Sequence, residues 1–377
     1  MKEIALYIHV PFCKQKCLYC DFPSYASLEN LMDDYVDALC MEIQEKAKEY
    51  LISSIFIGGG TPSYLNKNQI EKLLNSINKL NKTKNMEFSM ECNPGSLDEE
   101  KLKTMFLGGV NRISIGLQAV QDSLLKSIGR IHTYREFVEN FNLARKIGFK
   151  NINVDLMFGL PNQKISHWKE SLETIANIKP EHISSYSLII EEGTCFYNMW
   201  NKDKLNLPSE EDEREMYSMT KEILKSHGYK QYEISNYSKE GYECLHNKVY
   251  WQCKPYLGVG TSASSFLDEY RFKNIDKVKE YIKRINNNES VVEEKLKNSI
   301  EDDIEEFMFM GLRLIEGVCK REFELRFGRN IRSIYNEIID KNISMGLLEE
   351  DNNILRLTSK GVELSNVVMS DFIIDRK

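Results

Sequence analysis

"PFCKQKCLYC", residues 11–20, places Cys13, Cys17 and Cys20 within eight positions in the spacing C-x3-C-x2-C. The next cysteine, Cys40, is too far along to complete a compact local module. A structural zinc site normally takes four protein ligands, usually as two pairs separated by a loop. His9 could serve as a fourth, giving Cys3His, and that alternative stays open at this point. Iron–sulfur clusters usually take four thiolates. A four-iron cube held by three keeps one iron for an exchangeable ligand, and an open iron is a reaction site.

Around this motif the chain reads as an ordinary globular protein of 377 residues, 42% hydrophobic and 28% charged. A formal net charge of −7 gives no general electrostatic reason to expect nucleic acid or an anionic membrane as partner. No apolar run reaches the ~18 residues of a membrane helix. "MKEIALYIHV" runs into the cysteines without a cleavage site, so no signal peptide is expected. Nine cysteines without a secretory signal point to a reducing compartment, the cytoplasm, and to free thiols or metal ligands instead of disulfides. Cys40 lies beside the apolar stripe Leu31, Tyr35, Leu39, Ile43, Ala47 and reads as a packed core residue.

From residue 4 to about 190 short apolar strands alternate with amphipathic helices. The pattern predicts strands at 4–10, 54–58, 86–92, 112–118, 150–156 and 182–189, and helices at 31–50, 67–80, 97–107, 133–147 and 166–177. Such alternation implies parallel strands with right-handed crossovers. Six units are two short of a closed eight-fold barrel, so the expected fold is α/β, an open partial (β/α)6 barrel. Strand parity adds a second expectation. In "MEFSMEC" Met86, Phe88 and Met90 oppose Glu87, Ser89 and Glu91. In "RISIGLQ" Ile113, Ile115 and Leu117 oppose Arg112, Ser114, Gly116 and Gln118. In "INVDL" Asn153 and Asp155 alternate with Ile152, Val154 and Leu156. Side chains alternate across a strand, so the lumen is predicted to be hydrophilic and to house a polar ligand.

Glu91, Gln118 and Asp155 fall near the C-terminal ends of their strands, where such barrels place their chemistry. The cysteines follow the first strand in the same way, and "GGGTP" (58–62) follows the second. Those glycines permit close backbone approach, although a tight turn after a buried strand needs the same residues. Glu91 could accept hydrogen bonds from an ammonium group, and Asp155 could take both hydroxyls of a ribose. Together these features suit a ligand that is amino acid at one end and nucleoside at the other.

"YIHVPFCKQKCLYCDF" followed by "GGGTP" resembles the radical S-adenosylmethionine (radical SAM) proteins. The ordered set "ECNPGSL", "RISIGLQ", "GRIHTY", "NVDLMFGLPNQ" and "CLHNKVYW" is more specific. It resembles the HemN/HemW group, the oxygen-independent coproporphyrinogen oxidases and their haem-chaperone relatives. The resemblance implies that Cys13, Cys17 and Cys20 ligate a 4Fe-4S cluster whose fourth iron is chelated by SAM. It also implies that Tyr7, Tyr19, Gly59, Gly60, Thr61, Glu91, Gln118, Arg130 and Asp155 hold SAM. Arg130 has no strand signal and alone would read as a solvated loop charge. The implied chemistry is cleavage of SAM by the reduced cluster to a deoxyadenosyl radical.

Two departures separate the chain from the oxidases, which continue C-x3-C-x2-C-x-C and carry a longer N-terminal arm. Here the fourth position is Phe22, and twelve residues precede Cys13. Both features match the HemW-like subgroup, which makes coproporphyrinogen dehydrogenation the alternative activity and haem chaperoning the leading one. "HNKVYW" (246–251) matches that subgroup's H-N-x-x-Y-W motif. His246 offers an imidazole to haem iron, and Tyr250 and Trp251 offer flat apolar surface; a hydrogen-bonded packing histidine is the plainer reading. Relatives often carry a second histidine where this chain has Ser264. Cys244 and Cys253 read as core thiols, since the chain has no C-x-x-C-H attachment pattern. The implied partners are haem and haem-acceptor proteins, respiratory enzymes being candidates, with no nucleic acid and no integral membrane segment.

The expected organisation is a barrel with the cluster and SAM site at 1–190, a barrel-completing extension at 191–290, and a C-terminal domain at 291–377. In the extension, "SEEDEREMYSMTKEILKSHGY" starts a helix near 210–226. That segment is expected to pack on the last barrel strands and to bring the histidine motif near the active rim. The C-terminal part reads as mostly helical and winged-helix-like. Its acidic runs "EDDIEE" and "LLEED" argue against DNA, whose binding face should be basic, and favour a cover over the barrel or a partner-docking surface.

Overall fold

The computed structural model describes residues 1–374. Six strands, β1 (Glu3–Val10), β2 (Leu51–Gly59), β3 (Lys82–Cys92), β4 (Arg112–Gln118), β5 (Ile152–Phe158) and β6 (His182–Ser187), lie side by side in chain order. Each pairs in parallel with the next. The crossovers carry α1 (Met32–Lys46), α2 (Lys67–Ile77), α3 (Glu99–Leu107), α4 (Asp122–Ser127), α5 (Tyr134–Ile147) and α6 (Ile165–Asn177). In α5 the physics of the crossover is plain. The Thr133 side chain and Glu136 close a capping box at its start, and Gly148 at φ 124° ends it. Phe137, Phe141 and Ala144 between them are buried against the sheet, one apolar face at helical spacing.

The outer faces of the strands meet those helices. Leu6, Ile8, Ile55, Ile57, Ile113, Ile115 and Val154 are each fully enclosed, and burying each contributes about 1.5–3 kcal/mol. The other face is polar, as the strand alternation predicts: Glu87, Ser89, Arg112, Ser114, Asn153, His182 and Ser184 are all buried in the lumen. Several bounds shift: β2 and β3 start earlier than expected, α1 stops at Lys46 and β6 at Ser187. The fifth strand starts at Ile152, two residues later than predicted, because Lys150 and Asn151 are still in the turn after Gly148. Asp155 is therefore mid-strand, deeper in the lumen than a strand end would place it.

The chain beyond β6 divides between the sheet's two edges. Helices α7 (Cys195–Trp200) and α8 (Glu210–Ser226) lead to β7 (Lys230–Glu233) and β8 (Asn236–Ser238), which extend the sheet antiparallel from β6. After α9 (Leu245–Trp251), β9 (Tyr256–Val259) pairs in parallel with β1 on the opposite edge. β10 (Ser264–Leu267), β11 (Tyr270–Asn274) and, past α10 (Val278–Asn286), β12 (Val292–Lys297) continue outward to give a twelve-stranded sheet. The polar break at 286–290 thus precedes β12, which is still part of this large sheet.

A separate core begins at Ile304 and runs to Phe372. It packs α11 (Ile300–Gly311), α12 (Lys320–Phe327) and α13 (Arg332–Ser344) with a three-stranded sheet of Val318–Cys319, Leu348–Glu350 and Ile354–Leu357. This helix–helix–wing unit joins the β7 edge, where Ile315 N–H donates to the Tyr232 carbonyl at 3.0 Å and Glu233 bridges to Leu314. The Arg313 guanidinium lies 4.3 Å from the Trp251 ring centre. The C-terminal unit therefore backs α9 at the N-terminal end of the strands. Among the described residues no helix is long and apolar enough to cross a membrane.

Candidate cofactor site

The loop after β1 is tied down on both sides before any cysteine appears. Tyr25 N–H donates to the Pro11 carbonyl at 2.7 Å, and Cys13 N–H to the Tyr25 carbonyl at 3.0 Å. Gly60 and Thr61, at the end of β2, donate their N–H groups to the carbonyls of Val10 and Phe12 at 2.9 and 2.8 Å. A Cβ on Gly60 would stand 2.8 Å from the Phe12 carbonyl and 3.0 Å from Cys13 Sγ, so only glycine lets the two loops touch. Gly59 is at φ 117°, and a Cβ there would meet the His9 ring at 2.6 Å. Gly60 is thus required by the packing of the cysteine loop and Gly59 by the His9 ring.

Cys13, Cys17 and Cys20 line one cavity of about 470 Å³ at the C-terminal ends of the strands. The same cavity is lined by Tyr19, Gly59, Gly60, Thr61, Glu91, Gln118, Arg130 and Asp155. Burial raises the thiol pKa of Cys13 and of Cys20, an opposition that a cationic metal centre would reverse. Cys13 Sγ is 3.4 Å from Thr61 Oγ1. The Cys3His alternative loses its fourth ligand, since both ring nitrogens of His9 are engaged, with the Tyr7 hydroxyl at 2.9 Å and the Pro23 carbonyl at 2.8 Å. Among the described residues no three His, Cys, Asp or Glu side chains close on a point as the ligands of a single ion do, these thiols included. The donor set, three thiolates on one loop facing a polar cavity, suits a cluster with one unliganded corner.

The carboxylates sit opposite the thiols. Glu91 Oε2 accepts from Gly59 N–H at 3.1 Å. Burial, with the Asp155 charge added, pushes its pKa up to about 8. Asp155 accepts from Asn153 Nδ2 at 2.7 Å and Ser114 Oγ at 3.1 Å, yet burial still raises its pKa. Two carboxyls held this way gain from a cationic or hydroxyl-bearing ligand. Gln118 adopts φ 75° where the register of β4 against β5 slips. Such a conformation is uncommon for a residue other than glycine, and outliers of this kind cluster at ligand sites. Arg130 is half-buried, its Nη2 donating to Asn93 Oδ1 at 2.6 Å and its Nη1 to Cys17 Sγ at 3.7 Å.

Two sequence-derived candidates are placed elsewhere. Tyr7 lines a second cavity of about 240 Å³ with His9, Phe22, Tyr250 and Ser264, its hydroxyl 2.9 Å from His9 Nδ1. His246 is not at the active rim but at the floor beneath it. It is 1% exposed, with Ser54 Oγ at 2.9 Å from Nδ1 and Tyr250 Oη at 2.9 Å from Nε2. Burial and the Arg112 charge push its pKa down to about 3. With both nitrogens occupied it has none to give an iron in this arrangement. The Trp251 face is likewise taken, by Arg313. Cys244 and Cys253 are buried, as core thiols should be. Strand alternation puts Arg112, Ser114 and Asn153 on the lumen face without assigning them a role, and all three line the cavity. Tyr186 and Asn247 line it too; neither has a periodic signal that would single it out.

Residues 7–175 match the radical SAM superfamily and residues 299–364 the HemN C-terminal domain. The chain is 40% identical to the heme chaperone HemW of Bacillus subtilis, over 98% of this chain and 99% of that one. It is 32% identical to the heme chaperone HemW of Escherichia coli, over 99% of each chain. The solved structure of the coproporphyrinogen III oxidase HemN of Escherichia coli superposes with a TM-score of 0.86 at 22% identity, over 99% of this chain and 90% of that chain.

Proposed function

This chain belongs to the HemW family of radical SAM proteins, and we propose that it binds a 4Fe-4S cluster, SAM and haem and passes the haem to acceptor proteins in the cytoplasm. The observation that carries the cofactor half is the convergence of Cys13, Cys17, Cys20, Glu91, Gln118, Arg130 and Asp155 on one cavity. Kinship over the full chain to proteins named heme chaperones supports the cargo half. The three thiolates hold the cluster. Glu91 would take the ligand's ammonium group and Asp155 its ribose hydroxyls, and the backbone of Gly59 and Gly60 would allow a close approach to β2. When bound, the reduced cluster supplies an electron to the sulfonium. The chain's own part is to orient and shield: Asn153 and Ser114 fix the Asp155 carboxylate, and Gly59 N–H fixes that of Glu91.

An oxidase acting on a tetrapyrrole is the second reading, favoured by the carboxylates and thiols that share the cavity. Phe22 argues against it. The side chain stands where the oxidases place a further cysteine, is 62% exposed, and lines the mouth of the cavity. The deciding experiment is haem titration of anaerobically reconstituted, cluster-loaded protein with and without SAM, alongside incubation with coproporphyrinogen III, SAM and dithionite. We expect a saturable Soret band and no vinyl product. Vinyl product would replace chaperone with oxidase, and colourless protein holding zinc would remove the cluster.

A further inference from the structure

Arg130 is held through both its loop and its guanidinium. Its loop is clamped to the cysteine loop by Leu18 N–H donating to the Ile128 carbonyl at 3.1 Å and by Gln15 Nε2 donating to the Gly129 carbonyl at 3.1 Å. Gly129 is at φ 79°, and a Cβ there would press on Leu18 Cγ at 3.0 Å. The guanidinium itself is anchored through Nη2, which donates to Asn93 Oδ1 and to the Gly116 carbonyl. A Cβ on Gly116 would come within 3.1 Å of that nitrogen. With Nη2 fixed and the fork planar, Nη1 has one direction left, and it points at Cys17 Sγ.

We propose that Arg130 is a positioning residue for the cluster as well as part of the SAM pocket: anchored by Asn93 and the Gly116 carbonyl, it donates to the Cys17 sulfur and raises the cluster's reduction potential. The inference rests on the cluster assignment made above. Taking up one electron from an external reductant places more negative charge on the cluster and its sulfur ligands. A half-buried cation with an N–H aimed at one of those sulfurs stabilises the reduced state more than the oxidised one. Hydrogen bonds to the sulfurs are among the levers that set such potentials. A lysine would keep the charge but lose the planar fork that fixes its direction.

The test is a dithionite titration of the reconstituted full chain without SAM, followed by electron paramagnetic resonance of the reduced cluster. Iron and sulfide, about four of each per chain for a full cube, are checked in every sample. Arg130→Gln is expected to move the midpoint to more negative potential, and Arg130→Lys to move it less. Asn93→Ala, which keeps the arginine but frees it, should move it in the same direction. A fully loaded Arg130→Gln protein titrating at the wild-type midpoint overturns the proposal. If that variant takes up no cluster, an unmoved midpoint in Asn93→Ala overturns it instead. Wild-type protein that assembles no cube would bring down the proposed function and this inference with it, whereas a wild-type cube with unmoved variant midpoints removes this inference alone.

Discussion

The two ends of the lumen are built from the same strands and the same alternation, yet they treat polar groups in opposite ways. At the N-terminal end Glu87 is fully employed. It accepts from the N–H groups of Leu245 and His246 at 2.9 and 3.2 Å, and from the Cys244 thiol and the Ser89 hydroxyl at 3.4 and 3.3 Å. His182 is bracketed by Asn153 Oδ1 at 2.6 Å and the Tyr232 hydroxyl at 2.8 Å, and α9 closes the floor. At the C-terminal end the Glu91 carboxylate has one backbone donor, and three thiols line the same cavity. Buried polar groups in a finished core are paired. Groups left with capacity and perturbed pKa values mark where something else belongs. Polarity in the lumen is therefore two things: a stitched floor and an open seat.

The largest effect separating the ends should come from the thiols. Replacing Cys13, Cys17 or Cys20 by alanine is expected to take iron from about four per chain to near zero after reconstitution. The unfolding midpoint of the cluster-free chain should barely move, because the cysteine loop carries little of the apolar core. Iron retained in any one of the three single variants would remove that residue from the ligand set.

At the floor the order of effects reverses. Glu87→Ala strands the N-terminal N–H groups of α9 and leaves the buried Arg112 short of a counter-charge. A loss of about 3 kcal/mol in urea unfolding is expected, with altered tryptophan fluorescence from Trp251. A loss below about 1 kcal/mol would mean that α9 is not held from inside the lumen. His246→Ala should cost less, about 2 kcal/mol, through two lost hydrogen bonds and a cavity beside Phe56. Because both its nitrogens are already bonded, the Soret band of the haem-loaded variant should survive. Its disappearance without a fall in stability would show that α9 opens to present His246 to the iron.

Strand alternation made the polar lumen legible, since a period of two assigns a face to every residue from Met86 to Asp155. It could not separate Glu87 from Glu91. Both are glutamates on one face of β3, and what tells them apart is α9, which arrives some 158 residues later in the chain. The same limit explains Tyr7, whose neighbour β9 is paired to β1 from the far end of the sequence. Arg130 lies in a loop where no periodicity exists, so only the ordered motif "GRIHTY" draws it into the site. The "HNKVYW" aromatics read as open platforms because a sequence shows which surfaces a residue offers and not which are already covered. The N-terminal half was legible because its contacts are between consecutive units. In the extension the helix at 210–226 was legible and forms as α8, but the return of its strands to both edges of the sheet was not.

The effect that is smallest per pH unit is also the most direct measure of the open seat. In the unfolded chain Glu91 releases its proton near 4.5, whereas in the folded chain burial, with Asp155 beside it, holds the proton until about 8. Between those values the folded state carries a proton that the unfolded state has lost. Stability from this group is thus fully present below about 4.5 and declines as pH rises through 8, by at most about 1.4 kcal/mol per pH unit. Glu91→Gln removes the titration, so its stability should fall less steeply over the same window. Saturating SAM should flatten the wild-type slope as well, because an ammonium group against the carboxylate favours its ionised form. Binding near pH 7 should then release a proton, measurable as a buffer-dependent heat. Urea unfolding of wild-type and Glu91→Gln protein from pH 5 to 9 reads the difference. Equal slopes for the two would place the Glu91 carboxylate in water, and an open seat in this lumen requires that it be kept from it.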